Sequence, residues 1–270
     1  MMRSMHNTKT RTRTKILLLA AAAGTLAVGA SSVASATTEP PPDVSAAPGA
    51  GGSAEASSPE AEAFCTAELA VEAAFGSEDP TLIEPAVGAL TAATPAELQE
   101  TVDAVLAAEE GSPEFDEAYG AMVDWMRDNC GYAELNLTGS EYTFGGLPPE
   151  VSAGPTILAL SNTGEEVHEA LLMRVNDGVE LTLDELLALP EEESMANLTF
   201  TGIAFAFPGE IGQAVVDLTP GRYVAVCFLP ENADPDMIMQ MSGPDSSEPP
   251  DANFGPPHAL LGMAQEFVVA

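Results

Sequence analysis

The sequence predicts an α+β protein in which a small helical domain is followed by an antiparallel β-sandwich. Apolar residues recur with a helical period up to about residue 130 and with the alternating period of strands from about residue 141. The second part also consists of short strand-like runs separated by Gly and Pro turns, a pattern typical of antiparallel sandwiches. We therefore expect a helical domain at 61–135 and a sandwich domain at 141–270.

The first 36 residues have the pattern of a secretory signal peptide. Basic residues precede an apolar stretch at 16–30, and Ala34-Ser35-Ala36 is a small-x-small cleavage site. The apolar stretch is too short for a comfortable membrane span, and no cysteine stands at the cleavage point to take a lipid. We expect bacterial export and a soluble, secreted protein with no membrane insertion after cleavage.

The chain that remains after cleavage is strongly acidic. It keeps three arginines and no lysine against 42 carboxylates, a formal charge of −39. Such a surface repels nucleic-acid phosphates and anionic lipids, so neither is expected as a partner, and it attracts cationic partners or copper ions. The same acidity also fits a role in solubility alone.

Residues 37–60 are rich in Pro, Ala, Ser and Gly and contain almost nothing large and apolar. Such a segment buries too little surface to offset the entropy lost on ordering. We predict a disordered linker.

The helical domain is predicted to contain three or four short helices. The first covers 61–75 and ends before the break at Pro80. A second begins at Thr94, whose hydroxyl can cap it, with Pro95 at the first helical position. The third covers 113–129 and carries an apolar stripe of Phe115, Tyr119, Met122, Val123 and Met126.

The sandwich domain begins with short segments around Tyr142–Gly146 and Val151–Gly154. A short helix at 182–189 is capped by Thr182 and stopped by Pro190. The strands that follow from the alternating pattern are 155–162, 167–175, 203–207, 214–218, 222–229 and 265–269.

Two of the three cysteines lie at the two ends of the helical domain. A bond between Cys65 and Cys130 would close a small bundle and stabilise it by about 3–5 kcal/mol. Their spacing supports neither a C-x-x-C redox pair nor a zinc cluster. We predict a Cys65–Cys130 disulfide, which leaves Cys227 unpaired in an oxidising compartment.

Cys227 ends an apolar strand-like run and belongs to the candidate metal ligands. With His168, His258 and Met263 it supplies the thiolate, two imidazoles and thioether that hold a blue-copper ion. His6 lies in the signal peptide, so the secreted chain has only two histidines, and both are in this set. Taken singly, each residue also fits an ordinary place in the core.

Three segments resemble the cupredoxins, the family of blue-copper β-sandwich proteins. They are Asn162-Thr-Gly-Glu-Glu-Val-His168, Leu218-Thr-Pro-Gly-Arg-Tyr-Val-Ala-Val-Cys227 and His258-Ala-Leu-Leu-Gly-Met263. The resemblance covers about 141–270 and implies a Greek-key, cupredoxin-like sandwich that holds one copper ion in a type 1 site. It implies His168, Cys227 and His258 as equatorial ligands and Met263 as the weak axial ligand. The implied function is single-electron transfer with a redox partner protein.

Two features depart from the pattern of that family. The 30 residues of 228–257 separate the cysteine from the second histidine, where the family has only a few. A long excursion can still return to the site, because loop closure costs only about 0.6 kcal/mol more per doubling of length. Glu169 follows the first histidine, where the family commonly has an asparagine that fastens two ligand loops.

Two alternatives remain open beside the electron carrier. Met237, Met239 and Met241 alternate on one segment and could form a secondary Cu+ site, which would suit a Cu+ carrier, although methionines of this kind also simply fill gaps. The second alternative is a metal-free binding module with the same fold. No motif of a catalytic nucleophile, phosphate loop or metalloprotease occurs, so we do not expect an enzyme.

Overall fold

A computed structural model describes residues 58–77, 79–109, 112–232 and 255–270 of the chain. The order of its elements confirms the prediction that a helical part is followed by a β part with two sheets. The predicted signal peptide at 1–36 and residues 37–57 of the predicted linker lie outside the described residues. Among the described helices, none has the length and hydropathy needed to cross a membrane.

Four helices form the first part: α1 (Pro59–Gly76), α2 (Pro80–Ala93), α3 (Gln99–Ala107) and α4 (Pro113–Asn129). Polar side chains at Ser58, Asp79 and Ser112 cap α1, α2 and α4 by accepting backbone N–H groups, and each of these three helices has proline in its first turn. Helices α1 and α4 therefore lie where the sequence predicts them, although α1 begins at Pro59, inside the predicted linker.

The predicted role of Pro80 and Thr94 was wrong. Pro80 opens α2, because Asp79 accepts the N–H of Thr81 at 2.9 Å. Thr94 lies at the end of the same helix, where its hydroxyl donates to the carbonyl oxygen of Leu90 at 2.8 Å. The next helix begins only at Gln99, with no side-chain cap.

The ends of the helical part are joined by a disulfide between Cys65 and Cys130. Cys65 lies within α1 and Cys130 directly follows α4, and their Cα atoms are 5.7 Å apart. The bond ties the first helix to the point where the chain enters the β part.

The described residues of the β part form nine strands, with two short helices between β5 and β6. The strands are β1 (Ala133–Ser140), β2 (Thr143–Gly145), β3 (Glu150–Val151), β4 (Gly154–Asn162), β5 (His168–Val175), β6 (Leu198–Ala206), β7 (Ile211–Leu218), β8 (Gly221–Val226) and β9 (Ala264–Val269). The helices are α5 (Leu183–Ala188), which Thr182 caps as predicted, and α6 (Glu191–Met195).

The strands form two sheets, with orders β2-β1-β4-β7 and β3-β9-β8-β5-β6. Strand β8 returns to pair with β5 rather than with its sequence neighbour β7, as in a Greek key. Most pairs are antiparallel, but β1 runs parallel to β4 and β3 parallel to β9. The sheets are therefore mixed, whereas the sequence pattern predicted antiparallel sheets throughout.

Strand β1 was not predicted, and it brings the β part forward from residue 141 to Ala133. Its side chains alternate between exposed and buried, with Leu135 and Leu137 inside. Seven residues of β1 pair with β4. This pairing places Gly139, near the end of β1, beside the candidate metal ligands.

Apolar layers cover both outer faces of the sandwich. Leu158, Leu160 and Val216 lie between the sheets, while the alternate residues Ile157 and Val215 pack against the helical part. On the far sheet, Leu186 of α5 belongs to the outer apolar cluster. The sandwich is therefore a rigid middle layer, and the candidate ligands lie at one end of it.

Candidate metal centre

Three potential metal ligands are brought together from three different elements. His168 is the first residue of β5, Cys227 follows the last residue of β8, and His258 is the first residue of a short helix, α7 (His258–Leu261). Strands β5 and β8 are hydrogen-bonded neighbours, so the backbone around two of the ligands is fixed by the sheet. All three residues are fully buried.

The donor atoms of these residues converge on one point. His168 Nδ1 lies 3.2 Å from His258 Nδ1, and Cys227 Sγ lies 3.3 Å from His258 Nδ1. All three donors lie within 4.8 Å of one another. Metal–nitrogen and metal–sulfur bonds are about 2.0–2.3 Å long, so one ion could reach all three atoms.

The long excursion after Cys227 returns to the cluster. His258 donates its backbone N–H to the Leu229 carbonyl at 2.8 Å, and Ala259 donates to the Cys227 carbonyl at 2.7 Å. An isolated β-bridge joins Pro230 to Pro257 at the neck of the excursion. The 30 intervening residues therefore leave and re-enter the fold at adjacent points.

Met263 lies at the same end of the sandwich and is fully buried. Its backbone N–H donates to the His258 carbonyl at 2.9 Å, and its carbonyl accepts the Cys227 N–H at 3.1 Å. A Cβ atom built on Gly139 would lie 3.3 Å from Met263 Cε and 3.4 Å from His168 Cβ. Gly139 thus lies beside both Met263 and His168. The predicted secondary site of Met237, Met239 and Met241 lies outside the described residues.

Glu169 fastens the two ligand-bearing segments to each other. Its buried carboxylate accepts the N–H of Phe228 at 2.9 Å, and its own N–H points to Cys227 Sγ at 3.5 Å. Burial raises the pKa of this carboxyl to about 7. The glutamate therefore makes the link for which the cupredoxin pattern led us to expect an asparagine.

The outward-facing nitrogens of the two histidines meet acidic residues. His258 Nε2 lies 2.9 Å from Glu166 Oε2, and the Tyr142 ring packs edge-on against the His258 ring at 5.0 Å between centroids. His168 Nε2 is buried without a hydrogen-bond partner, 3.9 Å from Glu141 Oε1. Sequence reasoning missed these roles, although the place of Glu166 two residues before His168 was a local signal.

Burial favours the neutral form of both imidazoles by lowering their pKa values. It lowers the pKa of His168 to about 4, with the nearby His258 adding to the effect. It also lowers the pKa of His258, against the opposing influence of Glu166. Burial raises the pKa of the Cys227 thiol well above its usual range, so a metal ion would displace a proton from the sulfur on binding.

No protein-family model and no curated protein matches this sequence. Similar proteins were found among solved structures. The reduced auracyanin of Roseiflexus castenholzii matches 52% of this chain and 99% of its own, at 14% identity and TM-score 0.31. Auracyanin A, a blue copper protein of Chloroflexus aurantiacus, matches 52% and 100%, at 15% identity and TM-score 0.28. A multi-copper oxidase of Pediococcus acidilactici matches 52% of this chain but 26% of its own, at 12% identity and TM-score 0.27. At such low scores the likenesses do not by themselves identify the function.

Proposed function

We propose that this protein is an exported, cupredoxin-like electron carrier that binds one copper ion in a type 1 site. The observation that carries the proposal is the convergence of Cys227 Sγ with the Nδ1 atoms of His168 and His258 at one buried point. Copper, when bound, would supply one-electron chemistry by alternating between Cu+ and Cu2+. Met263 is the proposed axial ligand.

The donor set favours copper over harder ions. A thiolate suits soft Cu+, imidazole suits both oxidation states, and neither suits magnesium or calcium. Two histidines and one cysteine with a neighbouring methionine are the donors of blue-copper sites. The neutral rings of His168 and His258 leave lone pairs free for the metal.

The surroundings of the ligands support electron transfer. His168 and Cys227 are held on paired strands, and Glu169 ties their segments together. Ligands held in this way cannot rearrange much when the charge of the metal changes, which lowers the cost of each transfer. A carrier is therefore favoured over an enzyme, and the described residues contain no second cluster that would give the several copper ions of an oxidase.

Export and partner belong to the same proposal. The signal-peptide pattern at 1–36 and a disulfide between Cys65 and Cys130 both fit a protein that works outside the reducing cytoplasm. The excess of carboxylates favours a redox partner with a cationic docking face.

The test is a visible absorption spectrum of purified protein after addition of Cu2+. We expect the intense band of a thiolate-bound cupric ion, with one copper per chain. Cys227→Ala should lose this band while retaining a folded far-UV circular dichroism spectrum. Met263→Leu, a change of similar volume, should retain the band and raise the reduction potential, because a weak donor to Cu2+ is removed.

Other results would favour the alternatives. A colourless Cu2+ adduct would refute the type 1 site. Tight Cu+ binding that disappears when Met237, Met239 and Met241 are replaced would favour a Cu+ carrier. A melting temperature that copper leaves unchanged would favour a metal-free binding module.

A further inference from the structure

Glu166 is held from several sides beside the metal centre. Its Oε2 accepts His258 Nε2–H at 2.9 Å and the backbone N–H of Asn232 at 2.7 Å. Its Oε1 accepts the Tyr142 hydroxyl at 3.1 Å. Its backbone carbonyl accepts the side-chain amide of Asn162 at 2.7 Å. The carboxylate therefore has little freedom to turn away from His258.

The backbone around Glu166 carries an unusual feature. Within the described residues, only Tyr142 (φ 62°) and Asn232 (φ 68°) adopt positive φ without being glycine. Both donate a hydrogen bond to the Glu166 carboxylate. A left-handed conformation is unfavourable for a residue with a bulky side chain such as tyrosine, and such residues concentrate at functional sites. The unfavourable conformation is therefore found at Tyr142, whereas asparagine tolerates it at position 232.

The hydrogen bond from His258 determines where the lone pair of the ring lies. Glu166 as a carboxylate can only accept, so the proton of the neutral ring is on Nε2 and the lone pair on Nδ1. Nδ1 faces Cys227 Sγ at 3.3 Å and His168 Nδ1 at 3.2 Å. The contact to Glu166 thus turns the binding nitrogen of His258 toward the other two donors.

His168 lacks such a contact, which makes the two histidines unequal. Its Nε2 is buried without a hydrogen-bond partner, and Glu141 Oε1 is 3.9 Å away, beyond hydrogen-bond range. A carboxylate that accepts the outer N–H of a metal-binding histidine fixes its tautomer and raises its basicity. His258 therefore has a carboxylate within hydrogen-bond distance of its Nε2, whereas His168 has none.

We propose that Glu166 is a positioning residue of the metal centre, which fixes His258 as the Nε2–H tautomer and makes it a stronger donor to Cu2+ than to Cu+. The second half rests on the proposed copper function, whereas the first half concerns the metal-free protein as well. Under this proposal the negative charge of Glu166 lowers the reduction potential of the bound copper, because it stabilises the more highly charged ion.

The first experiment measures the tautomer without metal. Nitrogen-15 NMR of labelled protein at pH 7 should show His258 as a single tautomer with a protonated Nε2 and an unprotonated Nδ1. Glu166→Gln should retain this tautomer, since the amide oxygen still accepts the bond. Glu166→Ala should give a mixture of both tautomers. A wild-type spectrum of His258 in Glu166→Ala would overturn the positioning role.

The second experiment measures affinity for Cu2+ and Cu+ and the reduction potential. In Glu166→Gln we expect the Cu2+ affinity to fall by roughly tenfold or more and the Cu+ affinity to fall less. A tenfold change in their ratio corresponds to a rise of about 59 mV for a one-electron couple. Glu165→Gln removes the same charge from the neighbouring exposed residue, which does not contact His258, and should leave both affinities unchanged.

The outcomes separate this proposal from the proposed function. Equal loss of Cu2+ and Cu+ affinity in Glu166→Gln, or an equal effect of Glu165→Gln, would overturn the electronic role of Glu166. A wild-type protein with no thiolate absorption would overturn the copper function, and the tautomer spectra would then still decide whether Glu166 orients His258.

Discussion

The Glu169 carboxylate accepts the backbone N–H of Phe228 at 2.9 Å, and so links the residue after one candidate ligand to the residue after another. This contact adds a buried side-chain link to the backbone pairing of β5 with β8.

Glu169→Ala is expected to destabilise the metal-free protein by about 1–3 kcal/mol, because the Phe228 N–H would lose its partner in the interior. Glu169→Gln keeps a hydrogen-bond acceptor of similar size, so its free energy of unfolding should fall by less. Urea unfolding of the two variants and the wild type at pH 7 measures the difference. Equal losses would show that the hydrogen bond to Phe228 contributes nothing.

Gly164→Ala is expected to weaken Cu2+ binding by about tenfold, a cost typical of disturbing the surroundings of a ligand. The added Cβ would contact the Glu141 carboxylate and lie 2.9 Å from His168 Nε2. Glu141 can move into solvent, but the His168 ring is fully buried and must shift. Competition with a chelator of known affinity measures the change.

Gly88→Ala is the matched control for that experiment. Gly88 lies within α2, and a Cβ there would meet nothing within 4 Å. It should leave the Cu2+ affinity unchanged and stabilise the helix by about 0.5–1 kcal/mol. Unchanged Cu2+ binding in Gly164→Ala would mean that the His168 ring has room to move.

Replacement of Cys65 and Cys130 by alanine together is expected to lower the free energy of unfolding by about 3–5 kcal/mol, because the bond closes a loop of 65 residues in the unfolded chain. The thiolate band of the copper-loaded protein should persist, since Cys227 takes no part in that bond. Urea unfolding and the visible spectrum measure the two effects. Loss of the band in a folded double variant would show that the disulfide shapes the metal centre.

Glu68→Gln is expected to stabilise the protein at neutral pH but not in acid. Glu68 is buried on α1, and burial together with the nearby Glu72 raises its pKa well above the usual range. The folded state then holds a proton that the unfolded state releases above about pH 4.5, so wild-type stability falls as the pH rises through this range. Glutamine avoids that penalty because it cannot ionise.

Urea unfolding at pH 4 and pH 7.5 tests the direction in which the stability difference between Glu68→Gln and the wild type changes with pH. The advantage of Glu68→Gln should be small at the lower pH and larger at the higher one. Glu117→Gln, which removes an exposed carboxylate from α4, is the matched control. An advantage of equal size at both pH values would contradict a shifted pKa at Glu68.

Local sequence patterns predicted most of the elements. The apolar runs of β4 and β5 and the capping residue before α5 are local features that the fold retains. Strand β1 was missed because it has few apolar residues, Leu135 and Leu137 among them, and it exists through its pairing with β4. Helix α2 was missed because Pro80 was interpreted as a break rather than as a first-turn residue.

The candidate ligands could be proposed from residue type and order in the sequence. The residues that hold these ligands in place by hydrogen bonds could not. Tyr142 reaches Glu166 across 24 residues and Asn232 reaches it across 66. Such contacts arise from the packing of the sheet ends. The periodicity of apolar residues carries no information about that packing. Glu169 is next to His168 in the sequence, but its hydrogen bond to the Phe228 N–H depends on the pairing of β5 with β8. That pairing cannot be read from the local sequence.

The β-bridge between Pro230 and Pro257 has a consequence for how this protein can change during evolution or engineering. Because the chain departs and re-enters the fold at adjacent points, and loop closure depends only weakly on length, a change in chain length between Asn232 and Gly255 is expected to cost little entropy. A foreign recognition peptide could be inserted there, a few residues from the candidate metal centre, while Asn232 keeps its hydrogen bond to Glu166.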